Sequence, residues 1–158
     1  IIKELAGMLQ GDITLIGSSL GAYLACLFAQ SDHCVKQLVL IAPAFQFISR
    51  QEKVLGRDVL DKWRETGSLE VYHYEYQENR RLHYGIIDDV RKYDRQPLTR
   101  KLPALLMHGI NDRSVPYRLS IDYLKINPEA RLLLLNSDHT MTEIVETLYQ
   151  YTEHFLGL

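Results

Sequence analysis

The sequence predicts an α/β fold, a parallel sheet layered between helices, and three observations carry that prediction. Short apolar runs at Ile13 to Ile16, Gln37 to Ala42, Ala104 to His108 and Leu132 to Leu135 read as strands, and in the second Leu38, Val39, Leu40 and Ile41 follow without a break, as a strand buried on both faces does. Stretches of helical periodicity separate them, and a strand, helix, strand alternation implies right-handed crossovers in a layered α/β domain. Finally, each of the three runs beginning at 13, 104 and 132 gives way to a turn built from Gly, Asn, Asp or Ser, the residues that tight turns require.

The elements follow in order. Leu5 to Gln10 closes a first helix, with Gly11 as its left-handed stop. Ile13 to Ile16 is a buried strand, and Ala22 to Gln30, apolar on nearly every face, is a helix covered on both sides. Leu38, Val39, Leu40 and Ile41 form the next strand, which Pro43 ends. From about Phe47 to Lys101 the chain turns charged and tyrosine-rich, with helical patches at Val54 to Trp63 and Leu82 to Tyr93 and a strand at Leu69 to Tyr76; this is read as an insertion. The core pattern resumes at Ala104, and Pro116 can open the helix after that strand. After Leu132 to Leu135, Thr140 and Glu143 have the spacing of a capping box for the final helix.

At 158 residues the chain is long enough to bury a core without disulfides or metal, and one domain is expected. With 46% hydrophobic residues, 24% charged residues and a net charge of −2, it has no basic face for tracking phosphates, so no nucleic-acid partner is expected. The longest apolar stretches are too short or too broken to span a bilayer. Cys26 and Cys34 fit neither a metal pattern nor a disulfide framework and are read as reduced thiols, Cys26 buried and Cys34 near the surface, in keeping with a cytoplasmic protein. The chain opens at Ile1 directly in helical periodicity, as the middle of a longer product would.

The first chemical signal is Gly17-Ser18-Ser19-Leu20-Gly21 between a strand and a helix. A strand-to-helix turn this tight holds its central serine in strained geometry, and a Cβ at position 17 or 21 is expected to clash with the flanking strand and helix. Ser19 is lifted above the strand ends, while the helix N-terminus aims free amides at the same point, with Leu20 N–H as an oxyanion donor. Ser18 lies off the centre of the turn. The plain alternative is a chance turn of the kind that also binds phosphate; the flanking strand and apolar helix favour the nucleophile.

A serine hydroxyl needs a base to take its proton and a carboxylate to orient that base. Asp112 follows the run Ala104 to His108, and His139 follows Leu132 to Leu135, which gives the order Ser, Asp, His at successive strand ends. Each has a plainer reading: Asp112 as a turn former, His139 as a residue that merely precedes a cap. Asp138 competes as the acid but is poorly placed to bond its own neighbour. His33 and His154 read as surface residues, His73 and His83 fall in the insertion, and His108 ends a strand and is expected only to pack there. A His108 and Asp112 metal pair lacks helical spacing and a third ligand.

These residues resemble the α/β-hydrolase superfamily, and in style its small bacterial serine esterases of the YqiA type. The likeness rests on Ile16-Gly17-Ser18-Ser19-Leu20-Gly21, on Met107 through Pro116, and on Ser137-Asp138-His139. It implies a three-layer α/β-hydrolase-type parallel sheet, hydrolysis of esters, thioesters or sometimes amides through an acyl-enzyme, a small-molecule ester substrate and no cofactor. In such proteins the first strands and the loop giving the second oxyanion amide precede the nucleophile by many tens of residues, whereas here Ser19 stands near the start. One missing donor costs on the order of 3 kcal/mol of transition-state stabilisation.

The insertion, 47–101, is expected to form a helical lid whose Tyr72, Tyr74, Tyr76 and Tyr84, with Trp63, line an acyl or alcohol pocket; alternating tyrosines are equally what a half-exposed strand carries. Its charged pairs Arg80-Arg81 and Arg91-Lys92 read as solvated faces. The serine esterase reading stands beside two others, an acyl-peptide or aminoacyl peptidase and a hydrolase-like binding module without activity.

Overall fold

The computed structural model describes residues 2–9, 11–73, 76–94 and 96–158, with the side chains of Glu52, His73 and Asp94 outside that description. Gln10 and Tyr74, which the sequence reading placed in a helix and in a pocket lining, also lie outside it. In chain order the elements are α1 (Ile2–Met8), β1 (Ile13–Ser18), α2 (Leu20–Ser31), β2 (Val35–Ile41), α3 (Phe47–Thr66), β3 (Ser68–His73), β4 (Glu78–His83), α4 (Gly85–Asp94), β5 (Ala104–Gly109), α5 (Arg118–Ile126), β6 (Ala130–Leu135), a 3₁₀ turn (Thr142–Ile144) and α6 (Val145–Leu156). They fall into two compact units, Ile1–Phe45 with Pro97–Leu158, and Gln46–Gln96.

The first unit is a four-stranded sheet in the order β1-β2-β5-β6, parallel throughout. Each apolar run anticipated a strand: β1, β5 and β6 extend beyond their runs, while β2 starts two residues earlier and stops at Ile41, leaving Ala42 outside. The central strands are the most deeply buried: every residue of β5 is buried, as are Val35, Leu38, Val39 and Leu40 of β2. That burial on both faces is why these stretches are apolar without alternation.

Helices cover both faces. On one, Val39, Leu105 and Met107 form a core with Met141 and Leu148, against which Ile144, Phe155 and Leu156 of the C-terminal segment pack. On the other, the edge-on contact of Tyr23 in α2 with Phe45 (6.1 Å) and the stacking of Phe45 on Tyr123 in α5 (4.9 Å) join the two helices. Small residues let α2 lie close to the sheet: Ala22, Ala25, Cys26 and Ala29 are all buried. Truncating a core leucine such as Leu40 or Leu106, neither of which is exposed to solvent, is expected to cost about 2–5 kcal/mol.

The residues 97–101, read with the insertion from sequence, belong to the sheet unit, and Arg100 shows why. Its guanidinium donates to the carbonyls of Ala29 (2.7 Å), Asp32 (2.5 Å) and Val35 (2.7 Å), and its backbone N–H donates to Gln30 Oε1 (2.9 Å). The carbonyls of Ala29 and Asp32 are ones that the end of α2 leaves without helical partners, where a cation is favoured, and Val35 opens β2 just beyond.

The second unit holds an antiparallel hairpin, β3 with β4, in which Leu69 pairs with Leu82 and Val71 with Arg80. Leu82 and His83, expected in a helix, complete β4 instead; the helix starts at Gly85, whose N–H donates to His83 Nδ1. The helix α3 is longer than its apolar patch and is kinked at Gly56 (φ 75°, ψ 162°). Trp63 and Tyr84 meet edge to face at 5.6 Å, and the indole N–H donates to the Leu82 carbonyl at 3.0 Å. Tyr72 and Tyr76 are exposed. Arg80 pairs with Glu78 and covers the Tyr76 ring, and Lys92 pairs with Asp89, so these charges sit on solvated faces as expected. Among the described residues no helix is long and apolar enough to cross a membrane.

Candidate active site

The carboxyl ends of β1, β5 and β6, all in the sheet unit, carry the three residues singled out from sequence. Ser19 is the single residue between β1 and α2 and has φ 52°, ψ −120°, a conformation that side chains with a Cβ rarely adopt. The strain is held by the Ser19 N–H donating to Ile41 O (2.8 Å) and by the Ser19 carbonyl accepting from Ala44 N (3.0 Å) and Tyr23 N (3.3 Å). Strained backbone of this kind persists only where the surroundings over-determine it. Ala42 (φ 43°) and Met141 (φ 53°), close in sequence to the same rim, share it.

Gly17 is what allows so sharp a turn. A Cβ there would stand 2.7 Å from Ala22 N and from the carbonyl carbon and oxygen of Gly21. The companion expectation for Gly21 is corrected: a Cβ at that position meets open space, because the clash runs from Gly17 onto the backbone of residue 21 and needs no side chain from it. Leu20 is the first residue of α2, so its N–H has no carbonyl one turn earlier and remains available at the helix N-terminus.

Asp112 lies in the loop after β5 with its side chain fully buried. Its Oδ1 accepts from the N–H groups of Ser114 (2.8 Å) and Val115 (2.7 Å), and its Oδ2 accepts from His139 Nδ1 (2.7 Å). His139 presents Nε2 to Ser19 Oγ at 3.0 Å. With Nδ1 bearing the proton given to Asp112, Nε2 has a free lone pair to accept the serine proton. The imidazole is 25% exposed while the carboxylate is sealed, so His139 is open to a ligand and Asp112 is not.

Two neighbouring loops are stitched so that this contact forms. Asn111 N–H donates to Ser137 O (3.0 Å), Ile110 N–H to Leu135 O (2.9 Å), and Asn111 Nδ2 to Asn136 Oδ1 (2.9 Å). Gly109 permits the approach, since a Cβ on it would lie 2.8 Å from the carbonyl carbon of Ser137 and closer still to the Ser137 and Asp138 oxygens.

Asp138 takes a local role. Its Oδ1 accepts from Thr140 N (2.8 Å), Thr140 Oγ1 (2.8 Å) and Met141 N (3.3 Å), and the Thr140 hydroxyl holds its carboxyl below the usual value. The expected capping box of Thr140 and Glu143 is thereby corrected. Asp138 engages the Thr140 amide and hydroxyl, the 3₁₀ turn and α6 start after Met141 and Ile144 with no side-chain cap, and Glu143 Oε1 accepts from Ser137 Oγ at 2.5 Å.

Sequence reasoning missed the role of His108, which it assigned only to packing. The ring has no solvent exposure, and its Nε2 lies 3.1 Å from Asp112 Oδ2 and 3.0 Å from Val115 O, while Nδ1 lies 2.7 Å from Ser120 Oγ. The available signal was polarity: a histidine at the end of an otherwise apolar buried strand must find hydrogen-bond partners.

A parallel sheet with helices on both faces, and a strained serine on the turn from its first strand to the following helix, define the α/β-hydrolase fold. Solved structures agree. Alpha/beta hydrolase domain-containing protein 10 from mouse superposes with a TM-score of 0.75 at 22% identity, covering 96% of this chain and 66% of that one. A putative hydrolase from Agrobacterium vitis gives 0.76 at 23%, with 98% and 65% covered, and Est1E from Butyrivibrio proteoclasticus, solved with ferulic acid bound, gives 0.72 at 22%, with 98% and 63% covered. Likeness at these identities is one of fold, and the chain spans just under two thirds of the length of each of these structures. The chain belongs to the family described as Uncharacterised protein family (UPF0227), whose model matches residues 1–156. No curated protein matches it.

Proposed function

We propose that this chain is a serine hydrolase that cleaves carboxylic esters or thioesters through an acyl-enzyme on Ser19. The observation that carries the reading is the unbroken path of hydrogen bonds from Ser19 Oγ through the His139 ring to Asp112 Oδ2. In the proposed reaction His139 Nε2 takes the hydroxyl proton as Oγ attacks the carbonyl carbon, and Leu20 N–H donates to the oxygen that becomes negative. His139 then returns the proton to the departing alkoxide or thiolate as its bond to the acyl carbon breaks. Water, deprotonated by the same imidazole, attacks the acyl group, and as that second intermediate collapses the imidazolium returns the proton to Ser19 Oγ, which frees the carboxylic acid and restores the hydroxyl.

Charge develops on the imidazole in each attack, and the sealed Asp112 carboxylate lies where it stabilises that charge. Esters are favoured over amides because the fold likeness includes esterases such as the one from Exiguobacterium antarcticum. For the insertion we propose a lid function, to be tested by replacing 46–96 with a short linker and comparing short-chain and long-chain esters.

The test of the reaction is covalent labelling. A fluorophosphonate probe is expected to modify Ser19, identified by peptide mass spectrometry, and Ser19→Ala is expected to lose both labelling and turnover of 4-nitrophenyl acetate. Unchanged hydrolysis by that variant would overturn the reading; paired ester and anilide substrates separate esterase from peptidase.

A further inference from the structure

We propose that His108 and Ser120 are positioning residues that lock the Asp112 carboxylate for His139, extending the hydrogen-bonded path to Ser120–His108–Asp112–His139–Ser19. This inference rests on the acyl-transfer reading of the last three residues.

The geometry fixes the state of the His108 ring. Its Nε2 faces two oxygens, Asp112 Oδ2 at 3.1 Å and Val115 O at 3.0 Å. A carboxylate and a carbonyl can only accept, so the proton resides on Nε2 and is shared between them. The neutral ring then carries a bare lone pair on Nδ1, and the Ser120 hydroxyl at 2.7 Å donates to it. The two side chains are wholly buried, out of reach of bulk solvent. Burial also pushes the His108 pKa down against the opposing pull of the Val115 carbonyl and of Asp112, which keeps the ring neutral.

That neutrality has a consequence for Asp112. A cationic ring at this distance would compete with His139 for the negative charge, whereas a neutral donor orients the carboxylate and leaves its charge in place. Oδ1 is already fixed by the amides of Ser114 and Val115, both from the same short loop. Oδ2 receives, among the described residues, the side chains of His108 and His139. Without His108, Oδ2 keeps only the imidazole it is meant to orient and the carboxylate is held through Oδ1 alone, so the restraint on the base is weakened. The anchor comes from outside that loop, His108 from a sheet strand and Ser120 from α5.

The experiment uses the full chain. Histidine ¹⁵N NMR of the wild type is expected to show His108 as the neutral, Nε2-protonated tautomer near pH 7, and Ser120→Ala is expected to keep the Nε2 proton while shifting the Nδ1 resonance, which loses its donor. With 4-nitrophenyl acetate, His108→Leu is expected to lower kcat by on the order of tenfold to a hundredfold, as loss of a hydrogen bond to a charged group implies, with KM little changed. His108→Gln, whose amide nitrogen can take the place of Nε2, is expected to recover most of the loss. An Nδ1-protonated or cationic His108 in the wild type, or equal kcat in the Leu and Gln variants, overturns the proposal, and the wild-type spectrum decides even where His108→Leu does not fold. Ser19→Ala assayed in parallel separates the two levels. Turnover surviving in it overturns the acyl-transfer reading and this one with it, whereas turnover lost there but intact in His108→Leu and Ser120→Ala overturns the positioning role alone.

Discussion

The Nε2 atom of His139 lies 3.0 Å from the Oγ atom of Ser19, although 120 positions separate them along the chain. The first stands on the loop after the edge strand β6 and the second on the turn that ends the opposite edge strand, β1. A contact that spans the sheet so completely depends on every strand keeping its register, which ties the chemistry directly to the core.

Asp112→Asn keeps the shape of the acid but can offer His139 an N–H in place of an acceptor, which favours the wrong tautomer. The expected result is a fall in kcat of about 10⁴-fold with KM little altered, read with 4-nitrophenyl acetate. A loss confined to KM would mean that Asp112 shapes binding instead.

Gly109→Ala tests the seam between the acid and base loops. Its Cβ would press on the backbone of Ser137 and Asp138, which can yield only by carrying His139 with it. A shift of about 1 Å is enough to cost on the order of 10²-fold in rate, so slower fluorophosphonate labelling of Ser19 is expected in a variant that still folds by circular dichroism. Gly21→Ala is the control, since its Cβ meets open space and labelling is expected to persist.

Arg100→Ala removes the cap on the end of α2 and leaves the carbonyls of Ala29, Asp32 and Val35 without their donor. A loss of about 1–3 kcal/mol is expected, which for a domain of this size lowers the melting temperature by several degrees. Thermal melts check it, and an unchanged midpoint would show that water replaces the guanidinium without cost.

His108 links stability to pH. Its folded pKa lies below the ordinary value of 6.5 because the ring is buried, so the folded state binds fewer protons than the unfolded chain. The stability that goes with the neutral ring is complete above pH 6.5 and is lost as the pH falls from there toward the folded pKa. Urea midpoints for the wild type are therefore expected to decline more steeply between pH 7 and pH 5 than those of His108→Gln, which has no proton to bind there. Parallel curves would contradict the assignment.

The two cysteines should differ sharply in reactivity. Burial pushes the Cys26 thiol up to about 12, against the smaller opposing effect of its hydrogen bond with Tyr123, while Cys34 is exposed. Iodoacetamide at pH 8 is expected to modify Cys34 and spare Cys26 in the native protein, with both modified in urea, as peptide mass spectrometry would show.

Much of this was legible along the chain. The run at Leu38 to Ile41 declared itself as a strand because burial on both faces suppresses alternation, and Ala104 to His108 read as a strand too, but their central place in the sheet is visible only in the fold. Ser19, Asp112 and His139 stood out because each follows an apolar run in a turn. The insertion was harder: Leu82 and His83 carry a pattern compatible with either helix or strand, and pairing with Leu69 and Ser68 settled it. Thr140 and Glu143 had the spacing of a cap, yet Asp138 took the amides first, a competition between acceptors that spacing does not reveal.

What the sequence determined by itself was periodicity and order: which segments are apolar on two faces, which residues sit in turns, and in what succession serine, acid and base appear. Tertiary structure alone decided which lone pair meets which proton. That Asp112 Oδ2 is shared by His139 and His108, that the second His108 nitrogen meets the Ser120 hydroxyl, and that Gly17 rather than Gly21 must lack a Cβ are facts of distances between atoms that the fold brings together. Hydrogen bonds and steric contacts act over a few ångströms, and only the folded sheet brings those atoms within that range.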